Sequence, residues 1–335
     1  MIYLIVLDIT KNAGIEKATL NLKDNLIGFY GKDNIKVISI RENISGSFID
    51  DLKFLRKFCA SLKAGDTIVS MYDRISIIIS LILKYGSSKE KPEKLIAFQH
   101  ADFYAHSFKI RLLRKFSYRY VDRLVTLTKK DASLYSTTTP VTTIPNSIPD
   151  ISIAHTAWVE RTNDFIAVGR LVEVKQFHHF INLSKIMNSQ FSHKLSFNLY
   201  GSGPEKQKLE SLIVSQGQDV SSILKGEVCN IFPPMQNSKF LIVTSQRESF
   251  SMVIIEAMLC GCVVISFDCE TGPREIITNN YDGFLVKPND IKAIKDISEL
   301  LISNPIKALE ISENAKRTAE KYKNSNVIKK WVEIL

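Results

Sequence analysis

No stretch of this chain stays apolar long enough to cross a bilayer: the longest such run, Ile75 to Leu83, is far short of the roughly 20 residues a spanning helix needs. Cysteines are few and odd in number, five in 335 residues, and none forms a CxxC pair with histidines at zinc spacing. Neither a disulfide framework nor a zinc module is expected, and a reducing cytoplasm fits this usage. Cys260-Gly261-Cys262 invites a metal reading. It lies where an apolar helix runs into the strand-like Val263-Val264-Ile265, which makes buried small residues the better account. The sequence has no Pro, Gly or Ser bias, no block of like charge and no low-complexity tract, so a disordered or linker-like chain is excluded. It also lacks an internal repeat of about 20 to 50 residues, which removes solenoids and propellers. Met1 to Asp8 carries no basic flank and stops being apolar too early for a signal peptide, and is expected to be a first buried strand.

What is present is enough apolar sequence, 45% of the chain, to fill two cores, and a length that a single core does not usually reach. In the first half, Tyr3-Leu7, Lys36-Ile40, Thr67-Met71, Leu95-Gln99, Leu124-Leu127 and Val141-Ile144 read as strands. Longer helical stretches separate them; Gly14 to Phe29, for example, repeats Ile15, Ala18, Leu22 and Leu26 at helical spacing. Such alternation implies a parallel sheet with right-handed crossovers. A turn-rich segment, Pro145 to Asp150, and a polar stretch to Asn163 follow and are expected to be the linker. The pattern then restarts with strands at Phe165-Val168, Leu195-Tyr200, Phe240-Thr244 and Val263-Phe267. The helices between them fall near Phe177-Met187, Glu205-Ser215 and Met252-Cys260. Two more helices, near Lys307-Tyr322 and Ser325-Leu335, close the chain. We expect one α/β domain over 1–150, a second over 163–320, and a terminal helix within 321–335 that packs back on the first.

The net charge of +9 is unevenly shared. Residues 1–150 hold 23 Lys and Arg against 15 Asp and Glu, and the remainder 21 against 20, so the basic character belongs to the first half. There, Phe108 to Tyr120 sets Lys109, Arg111, Arg114, Lys115 and Arg119 among aromatics and leucines, the pattern of a basic amphipathic helix that meets an anionic surface. The bland alternative has Leu112, Leu113 and Phe116 facing the core. Nucleic acid is not an expected partner, since no helix-turn-helix, zinc finger or RNA platform accompanies the charge.

Four segments of the second half fall where a doubly wound sheet places ligands, in loops leaving the carboxyl ends of strands. In Gly169-Arg170-Leu171-Val172-Glu173-Val174-Lys175, two cations at a strand end suit a diphosphate, Arg as a fork and Lys as a point charge; a solvated surface pair is the alternative. Tyr200-Gly201-Ser202-Gly203-Pro204 is a glycine turn into a helix that Pro204 can open. Lys206 stands where a dinucleotide fingerprint needs glycine, which argues against NAD. Glu248 and Glu256 stand with seven residues between them in Glu248-Ser249-Phe250-Ser251-Met252-Val253-Ile254-Ile255-Glu256. Glu248 ends a loop, Glu256 lies about two turns into a helix, and free amides near Ser251 to Val253 offer a polar-ligand site. An acid between Ile255 and Ala257 needs a partner, and a ribose diol fits; a capping Glu248 and a salt-bridged Glu256 are the structural alternative. Finally, the Gly272-Pro273 turn follows Asp268 and would form a wall of the same cleft.

In these segments the chain resembles family 4 of the retaining glycosyltransferases, which have the GT-B fold of two facing Rossmann-like domains with a cleft between them. The match runs through Gly14-Ile15-Glu16, Tyr120 to Val125, Ile144-Pro145-Asn146, GRLVEVK, YGSGP, ESFSMVIIEAM, CGCVVIS, GPREII and Asp282 to Val286. The resemblance implies that Arg170, Lys175 and Gly14 hold the donor diphosphate and Glu256 the ribose. It gives the transferred sugar to Glu248 and the Phe250, Ser251, Met252 and Val253 backbone, with His100 beside that sugar. Standing alone, a histidine at a strand end would read as a polar surface residue. The chain departs from the family at three glycines, having Ala13, Gln176 and Ser251 instead; Ala13 narrows the approach to the phosphate and Ser251 offers a hydroxyl.

The expectation is therefore a transferase that moves a hexose or N-acetylhexosamine to a glycan acceptor with retention. The Phe267 to Pro273 loop resembles those of bacterial enzymes using UDP-linked Gal, GalNAc or GlcNAc. The uracil is expected near Glu227, Val228 and Cys229. No cofactor or metal is expected, because Arg170, Lys175 and helix amides already supply positive charge. A GT-B epimerase or a non-catalytic sugar-nucleotide-binding subunit is the alternative, since fold alone does not decide. The acceptor, a glycan or lipid-linked glycan of a bacterial surface polysaccharide, and a peripheral place at the cytoplasmic face of an anionic membrane follow from the basic first half.

Overall fold

The computed structural model describes all residues except 12–13, 42–45, 87–89, 136–138, 154–155 and 192–193, and only the backbone of residue 163. The chain divides into two compact units, Met1–Pro149 with Asn324–Leu335, and Asp150–Lys323.

The first unit is built on a six-stranded parallel sheet: β1 (Ile2–Val6), β2 (Ile35–Ser39), β3 (Thr67–Ser70), β4 (Lys94–Gln99), β5 (Arg123–Thr126) and β6 (Val141–Thr143). Their spatial order is β2-β1-β3-β4-β5-β6. Strand β3 is buried throughout, and Leu4, Ile5, Val6, Ile96, Leu124 and Val125 are fully buried, as expected of strands covered by helices on both faces. Helix Gly14–Tyr30 follows β1, with Leu22 and Leu26 inward. The last helix, Asn324–Val332, belongs to this unit. Its Trp331 meets the Phe98 ring edge-on at 5.0 Å, and Asn21 and Asn324 exchange side-chain amide hydrogen bonds at 2.9 Å.

The second unit carries β7 (Asn163–Val168), β8 (Phe197–Tyr200), β9 (Leu224–Gly226), β10 (Ser238–Val243), β11 (Val263–Phe267) and β12 (Phe284–Val286), all parallel, in the order β12-β11-β10-β7-β8-β9. Phe165 stacks on Phe197 at 4.4 Å and on Phe240 at 5.1 Å, which anchors one face of the core. The segment expected as a linker is divided at Pro149, and from Asp150 on it is part of this unit: Trp158 packs on Phe240, and the buried Arg161 guanidinium donates to the carbonyls of Ser238, Cys260 and Gly261. Cys260 and Cys262 are free thiols, both buried, as read from the apolar run around them. Two three-residue strands, β9 and β12, and the helix Ile291–Ser303 were not anticipated. Three residues are too few for a period to register.

Candidate functional site

In the second sheet the strand order reverses between β7 and β10, and a doubly wound sheet opens its ligand crevice outside the carboxyl ends of the strands at such a point. The loops that leave these two strands are tied to each other there. Thr244 Oγ1 donates to the Lys175 carbonyl at 2.9 Å, and the Gln246 amide donates to the Val174 carbonyl at 2.8 Å. Across the same junction, Lys175 Nζ donates to Glu248 Oε1 at 2.6 Å, and Ser245 Oγ donates to the same oxygen at 2.7 Å. The Lys175 side chain is 22% exposed and that of Glu248 10%, so this ion pair stands at the crevice, shielded from bulk water more on the acid side. Arg170 is exposed and makes no ion pair among the described residues. A third loop, after β11, closes on Glu248: Thr271 Oγ1 donates to the Glu248 carbonyl, and Gly272 lies against the same backbone.

The glycine turn after β8 has a structural task. A Cβ on Gly201 would sit 1.9 Å from the Gly169 carbonyl oxygen, and one on Gly203 2.4 Å from that of Leu171. The two loops are also laced together, Leu171 N–H to the Ser202 carbonyl at 2.8 Å and Glu205 N–H to the Leu171 carbonyl at 3.0 Å. These glycines therefore let the Arg170 loop lie flush on the neighbouring turn. Beside them, at the end of β9, Glu227 accepts from Ser202 Oγ at 2.7 Å, and Val228 and Cys229 are exposed.

Helix Met252–Leu259 begins at the mouth of this crevice. Glu256 is its fifth residue, so it lies just over one turn in rather than two, half-buried between the buried Ile255 and Ala257. The Phe250 side chain turns inward, 4% exposed and edge-on to Tyr322 at 5.8 Å, so of this residue the backbone is what remains for a ligand. Met252 and Val253 are half-buried, and their amides, at the first two helical positions, have no intrahelical acceptor by helix geometry. Ser251 holds the left-handed conformation, φ 74° and ψ 71°, makes no capping hydrogen bond, and has a buried hydroxyl without a partner among the described residues. Gln176, next to Lys175, is left-handed as well, φ 48°. At both positions the family's usual glycine has a plain reason, since an L side chain there costs about 1 kcal/mol. Ala13, the third departure, lies outside the described residues, and Gly14 opens the helix Gly14–Tyr30 with open space around its α-carbon.

In the first unit His100 follows β4. It is buried, 8% exposed, its ring 4.0 Å from that of Phe98, and its Nε2 has no partner among the described residues. It is thus not the surface residue that position alone suggests. Burial pushes its pKa down to about 3, against the opposing pull of the Asp73 charge, so the ring is neutral near pH 7. Asp73 is occupied by Arg114, Nη1 at 2.7 Å, and by His106 at 3.0 Å. This corrects one sequence expectation: Arg114 is 1% exposed and also donates to the Tyr135 hydroxyl and the Phe103 carbonyl, so it is an internal cation rather than part of a surface array. Ser117 of helix Phe108–Ser117 is buried as well and Arg111 half-buried, while Phe108, Leu112, Leu113 and Phe116 are exposed beside Lys109 and Lys115. These apolar side chains are therefore not core residues. Glu16 was named only as part of the Gly14-Ile15-Glu16 match, without a role, and Tyr72 not at all. Their side chains are hydrogen-bonded across the loops after β1 and β3, where the first sheet reverses its order. Ser245, Thr244 and Thr271 were missed as well; the only signal was their place one to four residues beyond a strand end.

The model of the family Glycosyl transferases group 1 matches residues 150–318. The chain is 26% identical over 319 residues to the amylovoran biosynthesis glycosyltransferase AmsD of Erwinia amylovora, covering 92% of this chain and 87% of that one. To the poly(ribitol-phosphate) alpha-N-acetylglucosaminyltransferase of Staphylococcus aureus it is 26% identical over 168 residues, half of this chain. That match spans about a third, 34%, of the length of the relative. Among solved structures, Anabaena Alr3699/HepE in complex with UDP and glucose superposes with a TM-score of 0.80 at 15% identity, covering 99% of this chain and 98% of that one. This likeness shows the fold, an α/β fold of the GT-B type.

Proposed function

The chain belongs to the Glycosyl transferases group 1 family, and on that premise we propose that it transfers a hexose or N-acetylhexosamine, with retention, from a UDP-linked donor to a glycan acceptor of a bacterial surface polysaccharide. The observation that carries the proposal is the Lys175–Glu248 pair at the reversal of the second sheet, next to the exposed Arg170 and the amide-bearing end of helix Met252–Leu259. When the anomeric C–O bond breaks, its electron pair goes to the departing diphosphate. Arg170 and Lys175, whose ammonium carries three donors of which Glu248 uses one, meet that growing charge without reorganisation. We assign the ribose to Glu256, the transferred sugar to Glu248 and to Phe250, Ser251, Met252 and Val253, chiefly through their backbone, and the base to the edge near Val228 and Cys229. We assign Gly14 to the diphosphate and His100 to the donor sugar, where a neutral imidazole serves as a hydrogen-bonding group. In this reading no metal is needed for the leaving group. AmsD, named for amylovoran biosynthesis, and HepE, solved with UDP and glucose, support the polysaccharide and the donor class.

A panel of UDP-, GDP- and ADP-sugars tests the reading by thermal shift and nucleotide release. Stabilisation and turnover with a UDP-hexose are expected. Stabilisation by GDP-mannose alone would overturn the donor. An epimerised nucleotide sugar without transfer would identify an epimerase, and binding without turnover a non-catalytic subunit.

No described helix is long and apolar enough to cross a membrane. We place the protein instead at the anionic surface of the cytoplasmic leaflet, through Phe108, Leu112 and Phe116 with Lys109, Lys115 and Arg119 of the first unit. Each such cation contributes on the order of 1 kcal/mol near anionic lipid. The acceptor would then be a lipid-linked glycan. Equal sedimentation with neutral and anionic vesicles refutes this placement.

A further inference from the structure

We propose that the Ser251 hydroxyl is a specificity-determining contact to the transferred sugar, an inference that rests on the function given above. Three observations make serine at this position a poor choice for the fold. Its backbone is left-handed, φ 74°, where glycine is free and an L side chain strained. Its hydroxyl does not cap the helix it precedes, although capping is the usual structural reason for serine there. That hydroxyl is also buried, with the residue 7% exposed, and has no partner among the described residues, a state that native structures avoid unless something else supplies the bond.

The position has little freedom to relax. On one side Phe250 is locked against Tyr322; on the other, Ile254 N–H closes the first helical turn on the Ser251 carbonyl at 3.1 Å. Behind it stands Gly272, where an added Cβ would come within 3.2 Å of the Phe250 carbonyl. Glycine at 251 would relieve the strain and remove the orphan hydroxyl together. Backbone strain gathers at ligand sites because it holds groups in place for a partner, and the partner that fits here both donates and accepts. A sugar hydroxyl does so: its oxygen accepts from a first-turn amide, which can only donate, and its proton goes to Ser251 Oγ. One hydroxyl of the donor hexose is then held from both sides. Its epimer leaves Ser251 unpaired again, which is how a site built for a hydroxyl rejects an analogue.

The test compares wild type with Ser251→Ala and Ser251→Gly against UDP alone, UDP-Gal, UDP-GalNAc, UDP-GlcNAc and UDP-Glc. The expected result has three parts. Affinity for UDP stays within about twofold in both variants. The kcat/KM for the preferred sugar falls by on the order of 10- to 100-fold, and its ratio to that of the epimer falls with it. Ser251→Gly melts about 2–4 °C higher than wild type, as relief of the strain requires. A Ser251→Ala variant with the wild-type rate and epimer ratio overturns the role of the hydroxyl while leaving the transferase reading intact. A wild-type protein that neither binds nor turns over any of these donors overturns both.

Discussion

Replacing Lys175 by Met keeps the length of the side chain and deletes its charge, leaving Glu248, 10% exposed, with the Ser245 hydroxyl at 2.7 Å. Breaking a buried ion pair from one side costs about 3–5 kcal/mol, mostly for the stranded charge. Lys175 is 22% exposed and the serine bond survives, which brings the expected loss to about 2–3 kcal/mol. Asp150–Lys323 is a unit of the size in which 1 kcal/mol moves Tm by about 2–4 °C, so its transition should fall by roughly 4–12 °C. Adding Glu248→Gln removes the stranded charge, and the double variant should regain most of the loss, with a coupling of about 1–3 kcal/mol. The assay is urea and thermal denaturation of the four proteins of the cycle at pH 7.5, with donor turnover measured beside it. Turnover should be lost in both variants that lack Lys175, because recovered stability does not restore the cation assigned to the diphosphate, and in Glu248→Gln because the carboxylate assigned to the transferred sugar is gone. A Lys175→Met protein as stable as wild type, or a double variant no more stable than Lys175→Met, would refute the buried pair; full activity in Lys175→Met would refute its assignment to the donor.

Three further outcomes follow from the same structure. Gln176→Gly, at φ 48°, should raise Tm by about 2 °C, since the left-handed strain of about 1 kcal/mol exceeds the entropic cost of glycine; a lower Tm in thermal denaturation refutes this. His100, held neutral by burial with its pKa lowered from 6.5 to about 3, contributes stability above its unfolded pKa and loses it as pH falls from about 6.5 towards 3. The loss is about 2 kcal/mol at pH 5. Urea midpoints at pH 7.5 and 5 should therefore converge more closely in His100→Asn than in wild type, and an unchanged difference would show that the imidazole is not buried. Arg114→Ala should cost about 3–5 kcal/mol by leaving the buried Asp73 carboxylate with only His106 of this ion-pair cluster, whereas Lys109→Ser with Lys115→Ser should leave stability within about 0.5 kcal/mol and weaken sedimentation with anionic vesicles. The opposite pattern would return Arg114 to the surface.

Local pattern alone determined much of this protein. Short β-branched runs such as Thr67-Ile68-Val69-Ser70 and Val263 to Phe267 read as strands, and their alternation with helical stretches implied parallel sheets. The glycine turn, the cations after Val168 and the Glu248-to-Glu256 spacing marked the sheet edge proposed for the donor, because each belongs to a segment that follows a strand. Position along the chain could not say which charges meet. Lys175 and Glu248 are 73 residues apart and are joined because the order of the second sheet reverses between β7 and β10. Arg114 looked like its neighbours in a basic helix, yet Asp73, 41 residues earlier, draws it inside, while the apolar residues around it turn outward. The glycine preferences broken at Gln176 and Ser251 were visible as letters, but only backbone dihedrals showed that both are left-handed. A dihedral depends on what packs around it, and for Ser251 that is Phe250, Tyr322 and Gly272, the last two reached only through the fold.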